Sequence, residues 1–263
     1  MHQAKKRFGQ NFLTDKNLLK KIVDQANIKN KNVLEIGPGL GALTQFLVLD
    51  AKKYLAYEID YSLKDQLKTF EAPHTKFIFQ DFLESDVIND LKTYFNDEPI
   101  HLIGNLPYYI TTPIIFKFLE IENLKTATIM VQKEVGERMI SQKNLKSYNA
   151  FSAILQYFTD VKSVIQVNKK MFKPIPKVDS MVVQLSKKET PLDNETEKLY
   201  IQVVKMSFMH KRKTMLNNLS TGLELEKSSI LPILNSLGFD ENTRAESLGV
   251  DDFIVLTRKI QQI

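Results

Sequence analysis

The residues best suited to chemistry in this 263-residue chain stand where apolar runs end. An amide, Asn105, closes IHLIGN and is followed at once by Leu106, Pro107 and Tyr108. Two carboxylates, Glu58 and Asp81, close KYLAYE and FIFQD, and Gly37, Gly39 and Gly41 follow NVLEI. Glycines at such a turn let backbone approach a ligand that a Cβ would exclude. In the register Gly37, Gly39, Ala42 they also satisfy the relaxed dinucleotide pattern G-x-G-x-x-G/A. Glu58 is placed to accept from a ribose diol, which suits a nicotinamide cofactor and S-adenosylmethionine equally. The tie breaks on Asp81, placed to accept from an adenine amine, taken with the GNLPY that ends the next apolar run. Each of these is singly an ordinary strand-end polar residue. Four in succession, gathered at the carboxyl ends of strands, describe one ligand crevice.

The amide of Asn105 then has a chemical use. An adenine amine is a poor nucleophile because its lone pair is delocalised into the ring. Two acceptors holding both N–H bonds, the Asn105 side-chain oxygen and the Leu106 carbonyl, favour a pyramidal nitrogen whose lone pair can meet a sulfonium methyl. Pro107 would hold the backbone turned outward and Tyr108 would stack on the extruded base. Orientation and stabilisation of a developing cation do the work, with no essential general base.

Such a crevice needs strands and helices to build it. From residue 32, NVLEIG, KYLAYEID, KFIFQD, IHLIGN and TATIMVQ alternate with helix-length stretches such as ALTQFLVLDA and VINDLKTYF. That alternation predicts βαβ units and a doubly wound, mostly parallel sheet of at least five strands. VKSVIQVN and SMVVQLS, joined by the proline-bearing KKMFKPIPKVD, predict an antiparallel edge. ETPLDNET marks a linker, beyond which the pattern is helical. The expected division is an α/β domain over 1–190 and a small all-α domain over 191–263.

Composition sets limits. Hydrophobic residues make up 43% and charged ones 25%, as in a folding globular chain. The absence of Cys excludes disulfides, thiolate zinc sites and a thiol nucleophile. His2, His74, His101 and His210 are scattered without ligand spacing, so no metal is expected. No apolar signal core or membrane span is seen, and the expected setting is cytoplasmic. No extended heptad pattern occurs, so a monomer is expected. Net charge is +5, but placement says more than the total: residues 1–21, 162–188 and 205–213 hold 17 of 36 Lys/Arg and 2 of 31 Asp/Glu. Three basic segments on an otherwise acidic chain form a polyanion-binding face if the fold unites them.

GNLPYYI resembles the N-L-P-Y motif of the ribosomal RNA adenine dimethyltransferases, and KRFGQNFL (6–13) resembles their N-terminal motif. MFKPIPKVDS (171–180), MHKRKTMLNNL (209–219) and LGFDENTRAESLGVDDF (237–253) resemble the small-subunit branch of that family, the kasugamycin-sensitivity methyltransferases. The resemblance implies a Rossmann-like methyltransferase domain with a small helical domain. It also implies S-adenosylmethionine-dependent dimethylation of two adjacent adenosines in the 3′-terminal hairpin of small-subunit ribosomal RNA, within an immature small subunit. Donor-binding roles carry over to Asn11, Leu13, Gly37, Glu58, Asp81 and Asn105, with Gly39 in the same turn. Phe172 matches an aromatic expected to flank the target base opposite Tyr108. Ile175 departs from a proline frequent in the family. Phosphate contacts are expected from Lys5, Lys6 and Arg7, from Lys169, Lys170, Lys173 and Lys177, and from Lys211, Arg212 and Lys213. Three other readings compete: the macrolide-resistance methyltransferases of the large subunit, a non-catalytic nucleic-acid-binding relative, and a nicotinamide dehydrogenase. Leu106 within N-L-P-Y and RAESLGV favour the small-subunit branch over the first. The intact N-L-P-Y argues against the second, and the third leaves that motif idle.

Overall fold

Short apolar runs rich in β-branched and aromatic residues become the strands, because such side chains fill a sheet covered on both faces. The structure, a computed structural model, describes Lys5 and Phe8–Ile263. Its elements begin with β1 (Phe12–Leu13), α1 (Lys16–Ala26), β2 (Asn32–Ile36), α2 (Thr44–Asp50), β3 (Lys53–Tyr57) and α3 (Lys64–Leu67). They continue with β4 (Thr75–Ile78), α4 (Val87–Phe95), β5 (Ile100–Asn105), α5 (Thr111–Glu120), β6 (Leu124–Gln132) and α6 (Lys133–Met139). Next come α7 (Ala150–Phe158), β7 (Thr159–Val167), β8 (Phe172–Lys173) and β9 (Ser180–Lys187). Helices α8 (Asn194–Ser207), α9 (Met215–Leu223), α10 (Lys227–Ser236) and α11 (Val250–Ile260) complete the chain.

Seven strands form one sheet in the order β4-β3-β2-β5-β6-β9-β7. The first five pair in parallel and β9 runs antiparallel to β6, as the alternation and the paired late strands predict. From β2 the chain winds outward to β3 and β4, then returns to place β5 on the other side of β2. That reversal opens a crevice at the carboxyl ends of β2 and β5. β2 is buried along its whole length. Helix α1, capped by the Asp15 carboxylate accepting from the Leu18 N–H, buries Leu19, Ile22, Val23 and Ala26, the i, i+3, i+4, i+7 face of an amphipathic helix. A separate two-stranded ribbon pairs β1 antiparallel with β8.

The chain divides into two compact units. One holds the residues up to Gly136 together with Lys162–Lys187, and the other holds Glu137–Val161 and Lys188–Ile263. The expected division at 190/191 therefore meets a discontinuous second unit. Helix α7 packs with α8 and α11, the Tyr157 and Tyr200 rings stack 4.2 Å apart, and the Tyr200 hydroxyl donates to the Ala153 carbonyl. Among the described residues no helix is long and apolar enough to cross a membrane.

Gly41 ends the turn after β2 at φ 82°, with its N–H donating to the Pro38 carbonyl. A Cβ there would lie 2.3 Å from the Phe70 ring, besides the strained φ. Gly41→Ala is expected to cost about 1–3 kcal/mol, read as a lower urea midpoint with an unchanged m-value. An unchanged midpoint would contradict this account of the turn.

Candidate active site

The turn between β2 and α2 presents backbone to the crevice. Gly37 and Gly39 lie at φ 71° and 57°, and the Gly37 N–H donates to the Tyr57 carbonyl at 2.9 Å. On the open side of Gly37, the nearest atom to a hypothetical Cβ is the Asn105 carbonyl oxygen, 3.9 Å away. Glu58, at the end of β3, is 4% exposed and anchored by two backbone donors. Gly39 N–H reaches Oε2 and Asp60 N–H reaches Oε1, each at 2.9 Å. Each carboxylate oxygen keeps a lone pair for a further donor. Burial raises its pKa, although the N–H groups of Asp60 and Gly39 pull the other way.

Asp81 follows β4 by three residues, and its Oδ1 accepts from the Leu83 N–H at 2.8 Å. Asn105 closes β5, and its Nδ2 donates to the Asn11 carbonyl at 2.9 Å. A carbonyl only accepts, so this bond commits the NH2 end of the amide and leaves Oδ1 as the acceptor. Beyond it the Leu106 N–H donates to Met130, and the Pro107 carbonyl accepts from Ile110 and Thr111. No described residue donates to the Leu106 carbonyl. The Tyr108 hydroxyl is bonded to Ser180 Oγ at 2.8 Å. Burial raises the Tyr108 pKa, and the Ser180 bond opposes it.

The segment before α1 forms the opposite wall. Phe12 pairs with Lys173 and Leu13 with Phe172, while Thr14 donates its N–H and hydroxyl to the Met171 carbonyl. Further back, the Lys5 ammonium reaches Asp60 Oδ1 at 2.6 Å and the Ser62 hydroxyl at 2.6 Å, and Gln10 Nε2 donates to Asp60 Oδ2 at 3.0 Å. Burial works to raise the Asp60 pKa, but the bonds from Lys5, Ser62 and Gln10 outweigh it and hold the carboxyl well below its usual range.

Together these walls border a cleft with about 1000 Å³ of empty space, its open mouth included. Asn11, Leu13, Gly37, Gly39, Glu58 and Asp81 all line it, as do Asn105, Leu106, Pro107 and Tyr108. Phe172 does not. Expected to flank a base, it is 0% exposed and belongs to the apolar core, because its backbone pairs with Leu13 and turns the ring inward. Lys5, expected at a phosphate, makes an ion pair with Asp60. Lys6 and Arg7 lie outside the described residues. Lys169, Lys170, Lys173 and Lys177 are exposed in the first unit, and Lys211, Arg212 and Lys213 in the second. Among the described residues no cluster of His, Asp and Glu is fit to hold a metal ion.

Three participants escaped the reading of the sequence. Asp60 and Gln10 carried no signal, since their meeting depends on chain folding back across the sheet. Glu35 did carry one, a charged residue inside the apolar run NVLEI. It lines the cleft at 1% exposure and accepts hydrogen bonds from the Tyr54 and Thr44 hydroxyls. Burial pushes its pKa up to about 7, against the pull of those two hydroxyls.

A family model described as ribosomal RNA adenine dimethylase matches residues 1–262. The chain is 48% identical to a ribosomal RNA small subunit methyltransferase A of Aster yellows witches'-broom phytoplasma (strain AYWB), over 98% of this chain and 96% of that one. Its fold is similar to the crystal structure of a dimethyladenosine transferase from Plasmodium falciparum, with a TM-score of 0.79 and 27% identity over 95% of this chain and 98% of that one. The 23S rRNA methyltransferase ErmE shares the fold, with a TM-score of 0.73 and 24% identity over 96% of this chain and 100% of that one.

Glu35 gives the fold a pH dependence of known sign. Its folded pKa, about 7, exceeds the ordinary 4.5, so the folded state holds the proton more tightly. Stability is highest below the ordinary value and falls as pH rises through that interval, by about 3 kcal/mol in all. Glu35→Gln, which stays neutral, should match the parent near pH 4 and exceed its urea stability by about that amount at pH 8. Parallel pH profiles for the two proteins would show that Glu35 is not held protonated.

Proposed function

The chain belongs to the ribosomal RNA adenine dimethylase family, and from that premise we propose that it transfers methyl groups from S-adenosylmethionine to the N6 amines of two adjacent adenosines in the 3′-terminal hairpin of small-subunit ribosomal RNA. Its substrate on this reading is an immature small subunit, and it works as a cytoplasmic monomer. The observation that carries the reaction is the Asn105 amide, held by Asn11 with its acceptor oxygen uncommitted.

The cleft suits the donor. Glu58 retains acceptor capacity for a ribose diol after taking the Gly39 and Asp60 N–H bonds. Asp81 lines the same space and would accept from an adenine amine, and Gly37 leaves the room a side chain would fill. Asn11 and Leu13 bound the same space on the ribbon side. When bound, the donor supplies an electrophilic methyl on a sulfonium.

The remaining work falls to the chain. Asn105 Oδ1 and the Leu106 carbonyl accept the N–H bonds of the target amine, two before the first transfer and one before the second, and draw its lone pair out of conjugation with the ring. Both acceptors stabilise the positive charge that develops on nitrogen, and the proton leaves to solvent afterwards. Pro107 stiffens the turn that carries them, and Tyr108, pinned by Ser180, offers its ring to the base. The assignment of the base's second face to Phe172 is dropped, since that ring is buried in the core.

The deciding experiment follows labelled methyl transfer to immature small subunits lacking the modification, with the nucleoside identified after digestion. Dimethyladenosine is expected. Asn105→Ala should lower kcat by roughly 100- to 1000-fold. Transfer to large-subunit RNA in its place, or undiminished transfer by the variant, would overturn the reading. Ser180→Ala and Tyr108→Phe should each lower kcat several-fold while leaving donor affinity unchanged, and the double variant should be no worse than either. Additive losses would mean that the hydroxyl pair does not act through the ring.

A further inference from the structure

The segment 168–179 is a loop whose inward side is consumed by folding and whose outward side is not. Phe172 and Pro176 are buried and anchor it. Its neck is closed by Asp179, whose Oδ1 accepts from the Lys169 N–H at 2.9 Å and whose carbonyl accepts from the Lys133 N–H at 3.0 Å. Asn168 Oδ1 accepts from the Lys170 N–H at 2.9 Å, and Pro174 and Pro176 fix two φ angles. The loop is thus held in shape before anything binds to it.

What it presents outward beyond Asn168 is of two kinds. Lys169, Lys170, Lys173 and Lys177 are exposed, with no acidic residue between Asn168 and Val178. Among them stand exposed apolar side chains, Met171 at 38%, Ile175 at 61% and Val178 at 43%, with the exposed Pro174 beside Ile175. Ile175 is also the residue that replaces the family's frequent proline. Cations alone would suit any polyanion. Cations interleaved with apolar surface suit a polyanion that also exposes apolar faces, which an unpaired strand does and a duplex, with its bases stacked inside, does not. The loop also runs into the cleft wall: Ser180, bonded to Tyr108, is two residues beyond Val178, or at most about 7 Å of chain.

Building on the reading above, we propose that Met171, Ile175 and Val178 hold an unpaired nucleobase adjacent to the target adenosines, while the surrounding lysines take its flanking phosphates. The apolar contact releases no counterions and the lysine contacts do, so the two are separable by salt.

The test uses the full chain and a synthetic RNA hairpin with two adjacent loop adenosines and 2-aminopurine at a flanking loop position, titrated across a salt series. Ile175→Ser/Val178→Ser should bind roughly ten-fold more weakly with an unchanged salt slope, and should lose the 2-aminopurine response. Lys173→Ala/Lys177→Ala should bind more weakly with a slope shallower by roughly one to two. All four side chains are exposed, and retained donor binding checks that each variant is folded. Unchanged hairpin affinity in the serine variant, with normal methyl transfer by the parent, overturns this inference alone. A loss seen only on assembled subunits puts a ribosomal protein on the tip and also overturns it. Absence of any binding or transfer by the parent overturns both this inference and the reading it rests on.

Discussion

The Asn11 carbonyl accepts from the Asn105 amide, and the geometry of the cleft hangs on that bond. An amide left to itself turns either end toward a ligand. Here a partner that only accepts settles which end is spent and leaves the oxygen uncommitted in a residue that lines the cleft. The bond also joins the end of a buried strand to a segment outside the sheet. Anything that displaces Asn11 therefore alters the orientation of Asn105, and the ribbon of β1 and β8 is what keeps Asn11 in place.

Two carboxylates near the end of β3 show how neighbours decide what a residue type does. Glu58 and Asp60 are two residues apart and both buried. Asp60 is saturated by a cation, an amide and a hydroxyl, and its carboxyl is held far into the ionised range. Glu58 receives only backbone N–H groups and retains lone pairs for a ligand. One fastens the wall of the cleft and the other is left for binding.

The sheet was legible in the sequence because strand and helix periods differ and because parallel strands must alternate with helices. The residues at strand ends were legible for the same reason, since the rule that gathers carboxyl ends into one crevice needs only the strand order. Phe172 was not, because its burial follows from pairing with Leu13, and no local pattern announces a partner so distant in the chain. Lys5 was read as a surface cation for want of any sign that Asp60 would meet it. Glu137–Val161 looked like a continuation of the α/β pattern and instead packs with the late helices, since composition along the chain is blind to a discontinuous unit.

The β1–β8 ribbon also has a temporal meaning. Thr14 and Met171 are 157 residues apart, so the segment carrying Asn11 leaves the ribosome long before the strand that fixes it exists. Contacts of such long sequence separation form late, after more local structure has repaid its own entropy. The nascent chain can therefore complete most of its parallel sheet with the cleft still missing a wall. Competence to hold a ligand waits on Phe172 and Lys173, which are made only after every parallel strand of the sheet.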